Sequence, residues 1–392
     1  MSRNSAIIRS VATFTLDTGK CPSWLFKRMV RLARVITIAI IEEFGTEEFL
    51  RRLSDPVWFQ SFGTLLAFDW NASGLTTTTL GALKVAIKGL EKDLNIFVCG
   101  GKGRSSRKTP DEILFWSDKL GLSQQAYENL VKASKLSAKV DNTLVQDGFV
   151  LYHHNFIFDR QGNWVVIQQG MNTLLSKARR YHWFSKSVKN FVELPHSGIQ
   201  SQITLDQVFN LVLPEARKNK KGLLELVKEK RAFFYEIKRI QNLKTGYQFN
   251  LLELSKQDFS SHPIEFEDFS LKEKFLPAFL KEAFSDSRVL KAIERAVSKE
   301  PKSFESLVLT HGIGPKTIRA LSLTAELIFG AKPSYEDPVR YSYTFGGKDG
   351  VPYPVERKEY DKIIEVLERA IKKSRLGFSE KKQAIGKIER LF

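Results

Sequence analysis

The chain has 392 residues, enough for two or three domains that each bury a core. Lys and Arg number 61 against 44 Asp and Glu, and the formal charge of +17 favours a polyanionic partner: DNA, RNA or an acidic membrane surface. Two cysteines, Cys21 and Cys99, exclude a disulfide framework or a four-thiolate zinc centre, and six scattered histidines argue against a structural zinc. The most apolar segment, Val35 to Ile41, is far shorter than the ~20 residues a membrane span requires. The N-terminal MSRNSAIIRS has no continuous apolar region and no small-residue cleavage site, so a soluble, cytoplasmic protein is expected.

Residues 22–45 read as a first helix, with Pro22 at its start and Gly45 past its end. Trp24, Leu25, Met29, Leu32, Ile36, Ala39 and Ile40 fall at helical spacing and should face a core. A short helix over Thr46–Leu53 ends before the Asp55-Pro56 break. An aromatic stretch from Trp58 to Trp70 follows, then the turn-like NASGLTTTT, leading into a helix through Leu90. Leu94–Cys99 is rich in strand formers. After GGKGRSS, Thr109-Pro110-Asp111-Glu112 predicts a capped helix start, with Thr109 and Glu112 forming a capping box.

Residues 149–171 carry the clearest hairpin pattern. FVLYHHNFIF and NWVVIQQGM are aromatic and β-branched, and Asp159–Gly162 supplies the turn. A short FVEL strand comes next, and Pro195–Ser201 reads as a domain boundary. Beyond Thr204 the pattern is helical and basic, with a long helix expected in ARKNKKGLLELVKEKRAFFYEIKRIQ and further helical structure from Asp268–Pro277 to Tyr360–Lys373. The expected class is α+β. A mixed α/β region with a β-hairpin spans 1–200, and an all-helical basic region spans 201–392.

Within the second region, SLVLTHGIGPKTIRALSLTAEL reads as helix, tight turn, helix. Gly312 and Gly314 flank Ile313, glycine being suited to positive φ and to close approach of a phosphate. Pro315 opens the second helix, whose free N–H groups and positive dipole end face the turn. Lys316 adds a point charge, Thr317 and Arg319 follow on the same helix, and Leu307, Leu309, Ile313, Ile318 and Leu321 should hold the two helices together. This string resembles the helix-hairpin-helix of DNA repair proteins, which grips the DNA backbone without reading bases. In the glycosylases of that group that have lyase activity, a lysine two residues after the second glycine and a later aspartate perform the chemistry. The resemblance implies Lys316 as the attacking amine and Asp337 as its electrostatic partner; the alternative role for Lys316 is a simple phosphate contact. Such an amine must be neutral to attack, and its nucleotide must first be flipped out.

Residues 139–183 gather Lys139, Asp141, Gln146, Asp147, His153, His154, Gln168, Gln169, Arg179, Arg180 and His182 on expected strands. Alternation sets His153 and His154 on opposite faces. Asp147, His154 and His182 with arginines are the residue types a metal-dependent nuclease needs, using a divalent ion such as magnesium or manganese. The bland alternative is a set of polar groups satisfied on the hairpin and in the core. In ARRYHW, Arg179 and Arg180 are candidates to hold phosphates while Tyr181, His182 and Trp183 stack on bases. Lys102, Arg104, Arg107 and Lys108 sit in a loop before a helix start, a suitable phosphate cradle that lacks Walker spacing.

The strings WLFKRMVRLA, FLRRLSDPVWFQ, FDWNASGLTTT, GGKGRSSRKTPDEI, LSAKVDNTLVQDGF, VVIQQGMN and ARRYHW together resemble an archaeal and bacterial family classed as a domain of unknown function, number seven-six-three. The resemblance runs over most of the chain. Relatives often carry histidine near LDTGK and at the position of Asn71; here those places read Asp17-Thr18 and Asn71, which weakens any metal role there. The family name implies no activity. The residues themselves lead to a DNA-processing or repair enzyme, nuclease or glycosylase/lyase. The alternative is a non-catalytic DNA-binding adaptor or nucleoid protein; RNA is not separated from DNA.

Overall fold

The computed structural model describes residues 21–66, 72–228 and 282–339. The expected structure over Asp268–Pro277 and Tyr360–Lys373, and the positions of Asp17, Thr18 and Asn71, lie outside the described residues.

Four helices come first: α1 (Ser23–Phe44), α2 (Thr46–Leu53), α3 (Pro56–Leu65) and α4 (Ala72–Ala86). Gly45 ends α1 at φ 85, and its N–H reaches the carbonyl of Ile41. Met29, Leu32, Ile36, Ala39 and Ile40 are buried as the spacing predicts, whereas Trp24 is exposed because it lies in the first turn, beyond the packed part of the helix. The aromatic stretch is helical as far as Leu65, and its last residues lie outside the described residues. Asp55 caps α3 by accepting from the amides of Val57 and Trp58, and Pro56 takes the first helical position where it lacks nothing. The TTTT run is no turn either: it lies within α4, with Thr76 and Thr79 buried.

A five-stranded antiparallel sheet follows: β1 (Phe97–Lys102), β3 (Val150–Phe158), β4 (Trp164–Asn172), β5 (Lys177–Phe184) and β6 (His196–Ser201), in the order β1-β3-β4-β5-β6. The β3–β4 hairpin forms as read, its turn closed by Gly162 N–H to Asp159 O and by Asn163 N–H to the Asp159 carboxylate. FVEL is not a strand. Pro195–Ser201, expected to divide domains, is largely β6, whose pairing with β5 outweighs its polar composition.

Between β1 and β3 lie a 3-10 turn (Gly103–Lys108), α5 (Thr109–Leu120), α6 (Gln124–Lys139), a π-helical turn (Val140–Leu144) and β2 (Val145–Gln146). No capping box opens α5. Thr109 is already helical, and its hydroxyl donates to Ser106 O, while Glu112 accepts from Lys84 and from Gly100 N–H. Gly100, at φ 90, brings the edge strand so close to β3 that a Cβ would lie 2.2 Å from the carbonyl oxygen of His154.

Beyond residue 200 come β7 (Phe209–Asn210), which pairs with β2, then α7 (Arg217–Lys228), α8 (Ser287–Lys299), α9 (Phe304–Leu309) and α10 (Pro315–Phe329). The expected long basic helix is described as α7 as far as Lys228; the rest of its span lies outside the described residues.

The sheet has helices on both faces. Val98, Ile157, Val165, Ile167 and Phe184 point to α1–α4; Phe97, Phe156, Phe158, Trp164, Val166 and Trp183 point to the later helices. Residues of α5–α10 share that second core with the sheet, so packing does not divide at residue 200.

Candidate nucleic-acid interface

Helix α9 opens with a reciprocal cap between Ser303 and Ser306, and its carbonyl of Leu307 receives the amide of Thr310. The chain reverses over Thr310–Gly314 and enters α10. Leu307, Val308, Ile313, Ile318 and Leu321 are buried between the two helices and the sheet; Val308 takes the place expected for Leu309, which is only half-buried. Gly312 needs its lack of a side chain: at φ 90 an L-residue is strained, and a Cβ would meet Ala292 Cβ at 3.2 Å. Gly314 does not need it for conformation. Its φ of -135 suits any residue, and the nearest atom to a built Cβ is 3.9 Å away. Among the described residues, Gly314 leaves open space at the start of α10, and no side chain caps the first-turn amides.

Two residues outside the helix pair fix this turn, Lys139 at the end of α6 and Gln146 on β2. The Lys139 ammonium donates to Ile313 O, and Gln146 Nε2 donates to Pro315 O at 2.9 Å. The Ile313 carbonyl is thereby engaged by Lys139, and the Pro315 carbonyl, which the helix already directs away from its own start, ties the turn to β2. Burial lowers the pKa of Lys139. Around the turn, His311, Gly312, Lys316 and Arg319 are exposed, and Arg295 lies 3.2 Å from His311 Nδ1. Lys316 Nζ is 3.6 Å from both Glu282 and Asp286, which offset part of its charge. Thr317 is buried within α10, so its side chain is not presented to a ligand.

Asp337 is not beside Lys316. Its two oxygens receive the fork of Arg179, at 3.0 and 2.8 Å, and also the amides of Leu205 and Val339. Arg179 also meets Asp147 at 2.9 Å, and Tyr181 donates to the same Asp147 oxygen at 2.6 Å. Burial raises the pKa of Asp147, against the opposing pull of Arg179 and its hydrogen bonds. All of these side chains are within the core.

Arg180 is equally buried on the opposite face. It bonds Thr76, Gln60, Gln200 and Pro56 O and stacks 4.7 Å from the Phe59 ring; burial lowers its pKa to about 9. The expectation that Arg179 and Arg180 hold phosphates is therefore corrected. Helices cover both faces of this sheet, so neighbours on β5 are both inside.

His154 and His182 are parted in the same way. His154 bridges Ser134 Oγ (3.0 Å) and Gln168 Oε1 (2.7 Å) on the α6 side, while His182 meets Leu53 O on the α1–α4 side. Gln168 continues to Asp141, which also accepts from Trp183 and is paired with His196 at 2.5 Å. The oxygens of Asp141 and Asp147 are thus engaged by protein donors, and among the described residues no three His, Cys, Asp or Glu side chains converge to hold a metal. The side chains of Asp141, Asp147, His154 and His182, so engaged, do not fit a magnesium or manganese centre.

His153 occupies the α1–α4 face, opposite Gln169, and among the described residues neither ring nitrogen has a partner in good hydrogen-bond geometry. Burial lowers its pKa to about 3, with His154 and Lys102 pushing the same way and Asn155 opposing. Burial also lowers the pKa of His154 and takes His182 well below its ordinary value. The native chain thus refuses protons that the unfolded chain accepts below about pH 6.5. Stability should be full above that pH and fall as the pH drops toward about 3. Thermal melts between pH 7.5 and 4.5 should show His153→Leu with a shallower acid-side loss than the parent; an identical pH dependence would mean that His153 is protonated in the native chain.

The loop cations Lys102, Arg104, Arg107 and Lys108 are exposed, and among the described residues none of them forms an ion pair. Lys102 lies 5.8 Å from the Tyr152 ring. Sequence reasoning found this loop and the glycine turn because both are local. It missed the anchoring of the turn by Lys139 and Gln146 and the pairing of His196 with Asp141, for which no local pattern exists.

Fold and site together define an α+β protein whose central sheet lies between helical layers, with a glycine turn and a cationic loop presented to solvent. The chain belongs to the family described as "Protein of unknown function (DUF763)", whose model matches residues 10–355. No curated protein and no solved structure matches it. Among the described residues no helix is long and apolar enough to cross a membrane.

Proposed function

We propose that this chain binds nucleic acid, DNA foremost, by holding the phosphodiester backbone at the Thr310–Thr317 turn, in the manner of a helix-hairpin-helix. The observation that supports it most is the anchoring of the turn by Lys139 and Gln146 through the Ile313 and Pro315 carbonyls, beside a start of α10 that no side chain caps among the described residues. An anion there meets backbone donors and the positive end of α10, with Lys316 at its rim. The excess of basic residues supplies the long-range attraction. Such a protein would act in the cytoplasm at the nucleoid, as an adaptor or nucleoid protein.

Strand chemistry is the second reading. Its lysine-dependent form loses Asp337 to Arg179, and its metal-dependent form loses Asp147 to the same arginine. What favours it is Lys139, an amine whose pKa burial lowers, in direct contact with the turn.

A labelled panel of single-stranded, intact duplex, abasic and uracil-containing DNA, with magnesium, manganese or EDTA, separates the readings. Binding without cutting is the expected result. Cutting abolished by EDTA would establish a nuclease instead. EDTA-resistant cutting at abasic sites, lost in Lys316→Ala or Lys139→Ala, would establish a lyase.

A further inference from the structure

The sheet ends on one side in a second feature that the backbone-binding turn does not use. Strands β4 and β5 are joined by Thr173–Ser176, and the leucines at its tip point outward: Leu174 is 95% exposed and Leu175 44%. Val150, opposite Met171 at the same end of the sheet, is 64% exposed. The tip is not slack. Asn172 Oδ1 accepts from the Leu175 amide at 3.0 Å, and Ser176 is held at φ 50, a conformation that L-residues other than Asn and Asp adopt at some cost. A structured turn that spends strain to keep two leucines in water calls for an apolar partner surface.

Charge says what kind of partner this is. Lys102 pairs in register with His153, so β1 ends at the same edge of the sheet as the tip, and the exposed Arg104, Arg107 and Lys108 continue beyond it. Two strand spacings, about 10 Å, separate β1 from β4. The glycine turn is close as well. Gln146, which holds Pro315 O, precedes Val150 by four residues, a reach of at most about 14 Å. One end of the sheet therefore presents a cationic loop and an apolar tip, and Gln146, which anchors the backbone-binding turn, lies four residues before Val150 at that end.

We propose that the Leu174–Leu175 tip is a wedge that enters the base stack of DNA at an unstacked step, while the Lys102–Lys108 loop and the glycine turn hold the flanking phosphates. This rests on the reading of the turn as a backbone contact. Apolar side chains flanked by cations part base steps at a cost of a few kcal/mol, which is smallest where a nick or bulge has already broken the stack. The substrate class is accordingly duplex DNA with a local interruption.

The test uses Leu174→Ser/Leu175→Ser in the full chain, a change of exposed side chains that leaves the core intact. The probes are intact duplex, the same duplex with a nick or a one-nucleotide bulge beside 2-aminopurine, and phosphatidylserine-containing vesicles. The parent is expected to prefer interrupted DNA and to raise the 2-aminopurine signal. The double variant should lose about fivefold or more in affinity for interrupted DNA, less than twofold for intact duplex, and the fluorescence rise. Arg104→Ala/Arg107→Ala should weaken both DNAs alike. Equal affinities of parent and double variant for every DNA overturn the wedge while leaving the backbone contact standing. A loss confined to vesicles overturns it in favour of a lipid surface, and a parent that binds no DNA removes the underlying reading as well.

Discussion

Asp337→Ala is expected to lower the stability of the chain by about 3 kcal/mol, the cost of taking one of two carboxylates from a buried arginine and stranding the donors it served. Arg179 has no exposed surface, and Asp337 supplies both oxygens of its fork. The same carboxylate receives the amides of Leu205 and Val339, so its removal strands backbone donors too. Asp147 would remain as the counter-charge, but it also serves Tyr181 and the Phe149 amide. Denaturant unfolding of Asp337→Ala and Asp337→Asn measures the loss; the asparagine variant should be intermediate, since it keeps the shape and one acceptor. An Asp337→Asn protein as stable as the parent but inactive on abasic DNA would restore the aspartate to a catalytic role.

Gly314→Val is expected to weaken duplex binding about tenfold or more while lowering the melting temperature by only a few degrees, since Gly314 is the N-cap of α10, where valine is less suited than glycine by about 1 kcal/mol. Gly314 has an ordinary extended φ, and a Cβ there approaches nothing closer than 3.9 Å. The valine branches would instead fill the space through which a phosphate reaches the first amides of α10. Gly312→Val differs. It forces a β-branched residue to φ 90 and drives Cβ against α8, so affinity and stability should fall together. Anisotropy titrations and thermal melts of the two variants separate approach from fold. Unchanged affinity in Gly314→Val would mean that the start of α10 is not where the backbone is held.

Local patterns were legible where local physics decides. The period of α1, the glycine after it and the bounds of α2 follow from side-chain spacing and end signals, as does the β3–β4 hairpin from Asp159 and Gly162. Asp55-Pro56 misled, because the pair that interrupts one helix is also the cap and first residue of the next. Pro195–Ser201 misled because its place in the sheet comes from β5 and not from its own composition. At the site, the glycine turn and the cationic loop were readable since each is a contiguous string. Arg179, Arg180 and His182 were not, because their burial depends on partners far away in sequence: Asp337, 158 residues on, for Arg179, and Thr76 of α4 and Leu53 of α2, 104 and 129 residues back, for Arg180 and His182. Lys139 and Gln146 are parted from the turn by 174 and 169 residues, so only the fold brings them to it.

The most direct measurement is the affinity of the parent chain for a fluorescent intact duplex over a salt series from about 50 to 200 mM. Several phosphate contacts should make log K fall steeply and linearly with log salt, losing about a hundredfold or more across that range. Lys316→Ala should reduce the slope by about one. Absence of binding at about 50 mM salt with tens of micromolar protein, or an affinity indifferent to salt, would contradict nucleic-acid backbone recognition as the function of this fold.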